Sequence, residues 1–159
     1  MDPDLVLRWL HVVGACVFLG TGAGIAFFML MAHQSRDVRV IAHTAGVVVF
    51  ADALFTATAV VAQPLTGIFL ALRLGWDLTE GWLLLSLILY VLTGAFWLPI
   101  VWIQLRMRNL ARQSVQTGMD LPHQYFALYR IWFACGIPAF LAVLAILWLM
   151  LARPDIVVF

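Results

Sequence analysis

The sequence predicts an all-α fold set in a membrane, a four-helix bundle with both termini on the outer, periplasmic side, and three observations predict it. Of the 159 residues, 65% are hydrophobic and 11% charged, and the mean hydropathy is +1.03; a soluble domain carries about twice that charge. The apolar residues fall into four runs, each long enough for the ~20 residues a spanning helix requires. Inside two of those runs the polar residues recur at helical spacing, headed by Asp52, and so mark faces turned toward a shared interior. A chain of this length forms one transmembrane domain, residues 1–159.

Helix one is expected over about 5–31, preceded by the capping residues Asp2, Pro3 and Asp4. It continues past the length of a signal-peptide core and is expected to stay as a span. Gly14, Gly20, Gly22 and Gly24 let a neighbouring helix, or a flat cofactor, approach its backbone closely. His11 shares a face with Gly14, Ala15, Phe18 and Gly22 and should point into the bundle. A short connection from His33 to His43 makes helices one and two antiparallel neighbours.

Helix two is expected over about 44–74, long enough to tilt or bend, with Pro64 as the place for a bend. Thr56, Ala59, Gln63 and Thr66 follow Asp52 along one face. The threonines are equally explained by bonds to their own backbone, and Gln63 by the gap that Pro64 opens. Asp52 is less easily dismissed, because a carboxylate at membrane depth costs at least ~2.5 kcal/mol. Gly75 to Gly81, with Trp76, Asp77, Thr79 and Glu80, reads as a wet loop.

Helix three is expected over about 82–112, with Ser86, Tyr90, Thr93 and Trp97 on a second stripe. Helix four is expected over about 123–152, started by Asp120, Leu121 and Pro122 and ended by Arg153 and Pro154. Arginines set the orientation: Arg36, Arg39, Arg106, Arg108, Arg112 and Arg130 lie on one side, and Arg8, Arg73 and Arg153 on the other. The first side is expected to be cytoplasmic. Trp9, Trp76, Trp82 and Trp148 then form the outer aromatic belt, and Trp102, Tyr125, Tyr129 and Trp132 the inner one.

All nine basic residues are arginine, which removes lysine chemistry such as Schiff-base formation. Cys16 and Cys135 lie in separate spans and read as core residues rather than a disulfide. No phosphate-binding, zinc-hydrolase or nucleophile motif is present, and the divided arginines give no nucleic-acid footprint. Of the four histidines, His33, His43 and His123 lie near the inner face and His11 near the outer one. Two histidines gripping a haem must share a depth, so His11 is left as a single axial ligand, a hydrogen-bonded interior histidine near Thr66 and Ser86, or one half of a pair across a dimer. Gln63, Thr66, Ser86 and Tyr90 are expected to line the same outer cavity.

Asp52 needs a partner. It lies 22 residues before Leu74, and Arg130 lies 22 residues before Ala152, so both sit ~33 Å along their helices. An Asp52–Arg130 pair fastening helix two to helix four is therefore expected.

Leu10-His11-Val12-Val13-Gly14, the run through Gly24, Met31-Ala32-His33 and Gln63-Pro64-Leu65-Thr66-Gly67 resemble an uncharacterised bacterial family of predicted integral membrane proteins, over nearly the whole chain. That family is similar, more distantly, to the copper-resistance CopD-type membrane proteins and the HemJ-type protoporphyrinogen oxidases. The resemblance extends to Gly81-Trp82, Arg130, Pro138 and Arg153-Pro154. It implies a place in the bacterial inner membrane, and a haem-associated role for a histidine early in helix one, which falls on His11. The HemJ pattern departs at two points: Ser86 stands where it has a lysine, and Cys135 and Gly136 stand near its Asn-Glu pair. Protoporphyrinogen oxidation therefore does not carry over.

Three functions are compatible with these residues. The polar interior binds haem b, with His11 as iron ligand, or a quinone-like redox molecule. Alternatively the chain is a non-catalytic membrane partner or assembly subunit, or a homodimer, whose stripes serve packing. Copper handling comes third, since Cys16, Met29 and Met31 form no tight repeated motif.

Overall fold

The computed structural model describes residues 2–156 and consists of four long antiparallel helices with no strand among the described residues. Helix α1 spans Pro3–Ser35, α2 Val38–Leu74, α3 Gly81–Thr117 and α4 His123–Ala152, and each contains a segment long and apolar enough to cross a membrane. α1 packs on α2, α2 on α3 and α3 on α4, while α1 meets α4 along a thinner seam. Phe28, Val61, Leu98 and Leu151 stay exposed and cover the bundle with an apolar surface suited to lipid.

The helix ends follow local chemistry. Asp2 caps α1 by accepting from the Asp4 N–H at 3.0 Å. Arg36 ends α1 in the left-handed region at φ 56°, and Asp37 caps α2 by accepting from the Arg39 N–H at 2.7 Å. The α1–α2 connection is therefore Arg36–Asp37 alone, and the expected loop from His33 to His43 is mostly helix. Polarity marks where a helix leaves the bilayer, whereas the cap marks where it ends. For the same reason α3 runs beyond 112 to Thr117 and stops at Gly118, φ 67°.

The irregularity in α2 falls earlier than Pro64. Residues Asp52–Thr56 form a π turn, in which the Ala57 N–H reaches back to the Asp52 carbonyl. Pro64 sits inside the helix and lacks the N–H that would bond Val60. The Tyr90 hydroxyl of α3 donates to that carbonyl instead. Gln63, for which the sequence leaves closing this gap as the alternative to lining a cavity, reaches across to α1 and donates to the His11 carbonyl at 3.0 Å.

Two apolar cores result. The larger fills the arginine-rich half with side chains from every helix, including Met29, Ala45, Met107 and Tyr125. The smaller, Ala71, Trp82, Leu83 and Leu149, closes the opposite end. Trp82, Tyr125 and Trp132 belong to these cores, at 6%, 0% and 5% exposure, and not to the aromatic belts where the sequence puts them. Trp9, Trp102 and Trp148 are exposed as belt residues should be. Cys16 is exposed too, so it is no core residue.

Candidate functional site

Asp52 lies at the start of the π turn and is 4% exposed. The turn carries Asp52 and Thr56 inward together while Leu54 and Phe55 face out, and Thr58 on the outer face donates to the Leu54 carbonyl at 2.7 Å. From α3, Trp97 Nε1–H donates to Asp52 Oδ1 at 3.3 Å. Also from α3, Gln104 donates its amide N–H to Asp52 Oδ2 at 3.1 Å and accepts from Trp132 Nε1–H of α4 at 3.1 Å, the amide orientation that satisfies both neighbours. Three helices are thus joined through one carboxylate.

Beside this network lies a cavity of about 430 Å³, lined by all four helices. Phe18, Gly22 and Ala26 come from α1, Asp52 and Thr56 from α2, Thr93, Trp97 and Gln104 from α3, and Trp132, Phe133 and Phe140 from α4. Its volume falls within the range of small-molecule sites, and its wall has their composition, apolar and aromatic with few convergent polar groups. Thr93 is committed to its own helix, donating to the Leu89 carbonyl at 2.8 Å. Thr56 is not: its Oγ1 is buried, bonds no backbone carbonyl and faces the Asp52 carboxylate at more than ordinary hydrogen-bond length.

Asp52 and Arg130, expected to pair directly or through one water, form no direct ion pair. Arg130 is exposed, and among the described residues the ion pair is Arg73–Asp4, at 2.9 Å. Counting residues placed the two groups at one depth but not on facing sides, and the neutral donors of Trp97 and Gln104 meet the carboxylate instead.

The outer polar residues are gathered on other terms. Thr66 Oγ1 donates to the Ala62 carbonyl at 2.7 Å, so it accepts from His11 Nδ1–H at 2.8 Å. The Cε1 edge of the imidazole lies against the bare backbone of Gly67, where an added Cβ would lie 3.0 Å from His11 Cε1. Gln63 packs directly against Gly14, which has no side chain to obstruct it. Ser86 is buried and donates to the Trp82 carbonyl of its own helix at 2.7 Å. His11, Gln63, Thr66, Ser86 and Tyr90 thus hold helices together or bond their own helix, and none of them lines the Asp52 cavity.

Gln104 and Trp132 complete the inner site, and sequence reasoning passed over both. Gln104 carries the α3 stripe two turns beyond Trp97, a signal obscured by the arginines that follow it. Trp132 reads as an interfacial tryptophan until its burial is known.

A family model described as Predicted integral membrane protein (DUF2269) matches residues 5–154. No curated protein and no solved structure matches the chain.

Proposed function

We propose that this chain, which belongs to the DUF2269 family of predicted integral membrane proteins, binds a planar, lipid-soluble molecule of the quinone class in its Asp52 cavity, within the inner membrane of a bacterium. The observation that carries the reading is the cavity itself, an apolar and aromatic chamber on whose wall the polar Asp52 and Thr56 stand together. The Thr56 hydroxyl faces the Asp52 carboxylate without forming a hydrogen bond of ordinary length, so a guest can compete for it. A quinone carbonyl can accept from it, and the hydroxyl of the reduced form can donate to an Asp52 oxygen. Trp97, Trp132 and the phenylalanines offer flat faces for an aromatic ring.

The test uses a short-chain quinone titrated into purified protein while tryptophan fluorescence is followed, since Trp97 and Trp132 line the cavity. Saturable quenching is expected, weakened about tenfold by Thr56→Val, the loss of roughly one net hydrogen bond. Quenching that never saturates, or that Thr56→Val leaves unchanged, overturns the reading.

A second reading rests on His11. Because its Nδ1–H is held by Thr66, its Nε2 lone pair is left for a metal, the arrangement that orients ligating histidines. This supports haem b held by His11, outside the Asp52 cavity, whose wall has no histidine, cysteine or methionine. A Soret band in the purified protein that His11→Ala abolishes is the expected result on that reading. A colourless protein that also fails to bind quinone favours the partner-subunit function.

A further inference from the structure

We propose that a second site, a groove between α2 and α3 at the arginine-rich end, binds an anionic phospholipid. The groove has a volume of about 660 Å³ and is independent of the Asp52 cavity. Its α2 wall is one helix face on which Arg39 and His43 come first and Gly46, Val47 and Phe50 follow. Arg112 and Gln116 of α3 stand opposite.

Polarity runs along this groove in one direction. Arg39, His43 and Gln116 occupy the end near the α1–α2 link, Arg112 reaches across at Gly46, and Val47 and Phe50, 51% and 66% exposed, continue toward the middle of the bundle. Arg39 to Phe50 is ~16 Å along the helix, which matches a phosphate headgroup followed by the first part of an acyl chain. A soluble anion would engage only the polar end and leave Val47 and Phe50 uncovered.

The arginines of the groove, Arg39 and Arg112, have no ion-pair partner among the described residues, and no acidic residue lines the groove. Asp37, the acid nearest Arg39 in the chain, has its Oδ1 on the Arg39 backbone N–H as the α2 cap. Arg112 lies across α2 at Gly46, where an added Cβ would stand 3.3 Å from its guanidinium nitrogen Nη2. Two arginines lining one groove between transmembrane helices is the arrangement that holds phosphate headgroups at a membrane surface.

The experiment reconstitutes the protein with equal phosphatidylglycerol and phosphatidylcholine and measures the lipid retained on it by native mass spectrometry. Wild type is expected to retain the anionic lipid about tenfold over the zwitterionic one. The Arg39→Gln/Arg112→Gln double variant should lower that ratio to near one. Gly46→Leu keeps both charges but fills the groove, and it should lower the ratio as well. Arg106→Gln, at the same end but outside the groove, should leave the ratio unchanged. Circular dichroism identifies any variant that does not fold, and either groove variant alone suffices. No preference in wild type overturns the site, as does a preference that survives in a folded groove variant. Displacement of the lipid by millimolar inorganic phosphate overturns the acyl-chain half of the assignment.

Discussion

The His11 and Asp52 halves of the bundle both carry polar side chains on inward faces and use them in opposite ways. Around His11 each hydrogen bond ties helix to helix or side chain to its own backbone: His11 to Thr66, Gln63 to the His11 carbonyl, Tyr90 to Val60. Around Asp52 the network also ties helices together, yet it borders a cavity and leaves the Thr56 hydroxyl facing the carboxylate without a hydrogen bond of ordinary length. Below it, His33 stacks on Tyr129 with ring centroids 3.8 Å apart, and its Nε2 and the Tyr125 hydroxyl are buried and unpartnered. A polar stripe therefore indicates that a helix face turns inward, and what the face does there depends on whether its donors and acceptors are already bonded.

The contrast can be broken most forcefully at Asp52. Asp52→Leu removes the acceptor for both Trp97 and Gln104, and is expected to cost about 2 kcal/mol, while Asp52→Asn, which keeps one oxygen, should lose clearly less. Thermal unfolding in detergent measures both. A leucine variant as stable as wild type would show that the inner network serves the ligand and contributes nothing to folding.

In the outer half the sharpest test is a cycle between α2 and α3. Tyr90→Phe orphans the Val60 carbonyl and should cost about 1 kcal/mol, leaving quinone binding untouched. Pro64→Ala restores the missing N–H, so in the double variant the tyrosine loss should nearly vanish. Simple additivity of the two changes would show that the hydroxyl does not stand in for that N–H. A smaller effect is expected at Thr66→Val, which deprives His11 Nδ1–H of its acceptor and should lower stability by roughly 0.6 kcal/mol, the average found for such bonds between membrane helices.

The smallest effect lies outside the membrane, at Asp77. The Thr79 backbone N–H and hydroxyl donate to its Oδ1 at 2.9 and 2.7 Å and hold its carboxyl below the usual carboxylate range. The folded loop therefore binds a proton less readily than the unfolded chain. Its contribution is complete above the ordinary aspartate value of about 3.9 and is lost as pH falls through the lowered folded value. Melting temperatures compared between neutral and strongly acidic buffer should fall slightly more for wild type than for Asp77→Asn.

Four spans, their order and the inward turn of Asp52 were all legible in the sequence, because hydropathy and helical spacing are properties of single helices. The family assignment was legible for a similar reason, since it rests on local runs such as Gln63-Pro64-Leu65-Thr66-Gly67. Partnerships were harder to read. Arg130 matched Asp52 in depth, but depth fixes one coordinate of three, and rotation of α4 about its axis sends the arginine outward and Trp132 inward. The π turn left no periodic signature, because one widened turn shifts the register by a single residue.

The Tyr90 bond to Val60 also bears on the order in which the protein can be made. While α1 and α2 emerge from the ribosome as a hairpin with a two-residue link, the Val60 carbonyl lies in a span interrupted by Pro64 and has no N–H to meet it. Its partner lies in α3 and arrives only when Tyr90 has been synthesised and inserted. The hairpin is thus an incomplete product, held open to water or to the insertion machinery until the third helix docks. Nascent chains arrested before Tyr90 should be extracted from the membrane more readily than chains arrested after α3, and Pro64→Ala should narrow that difference.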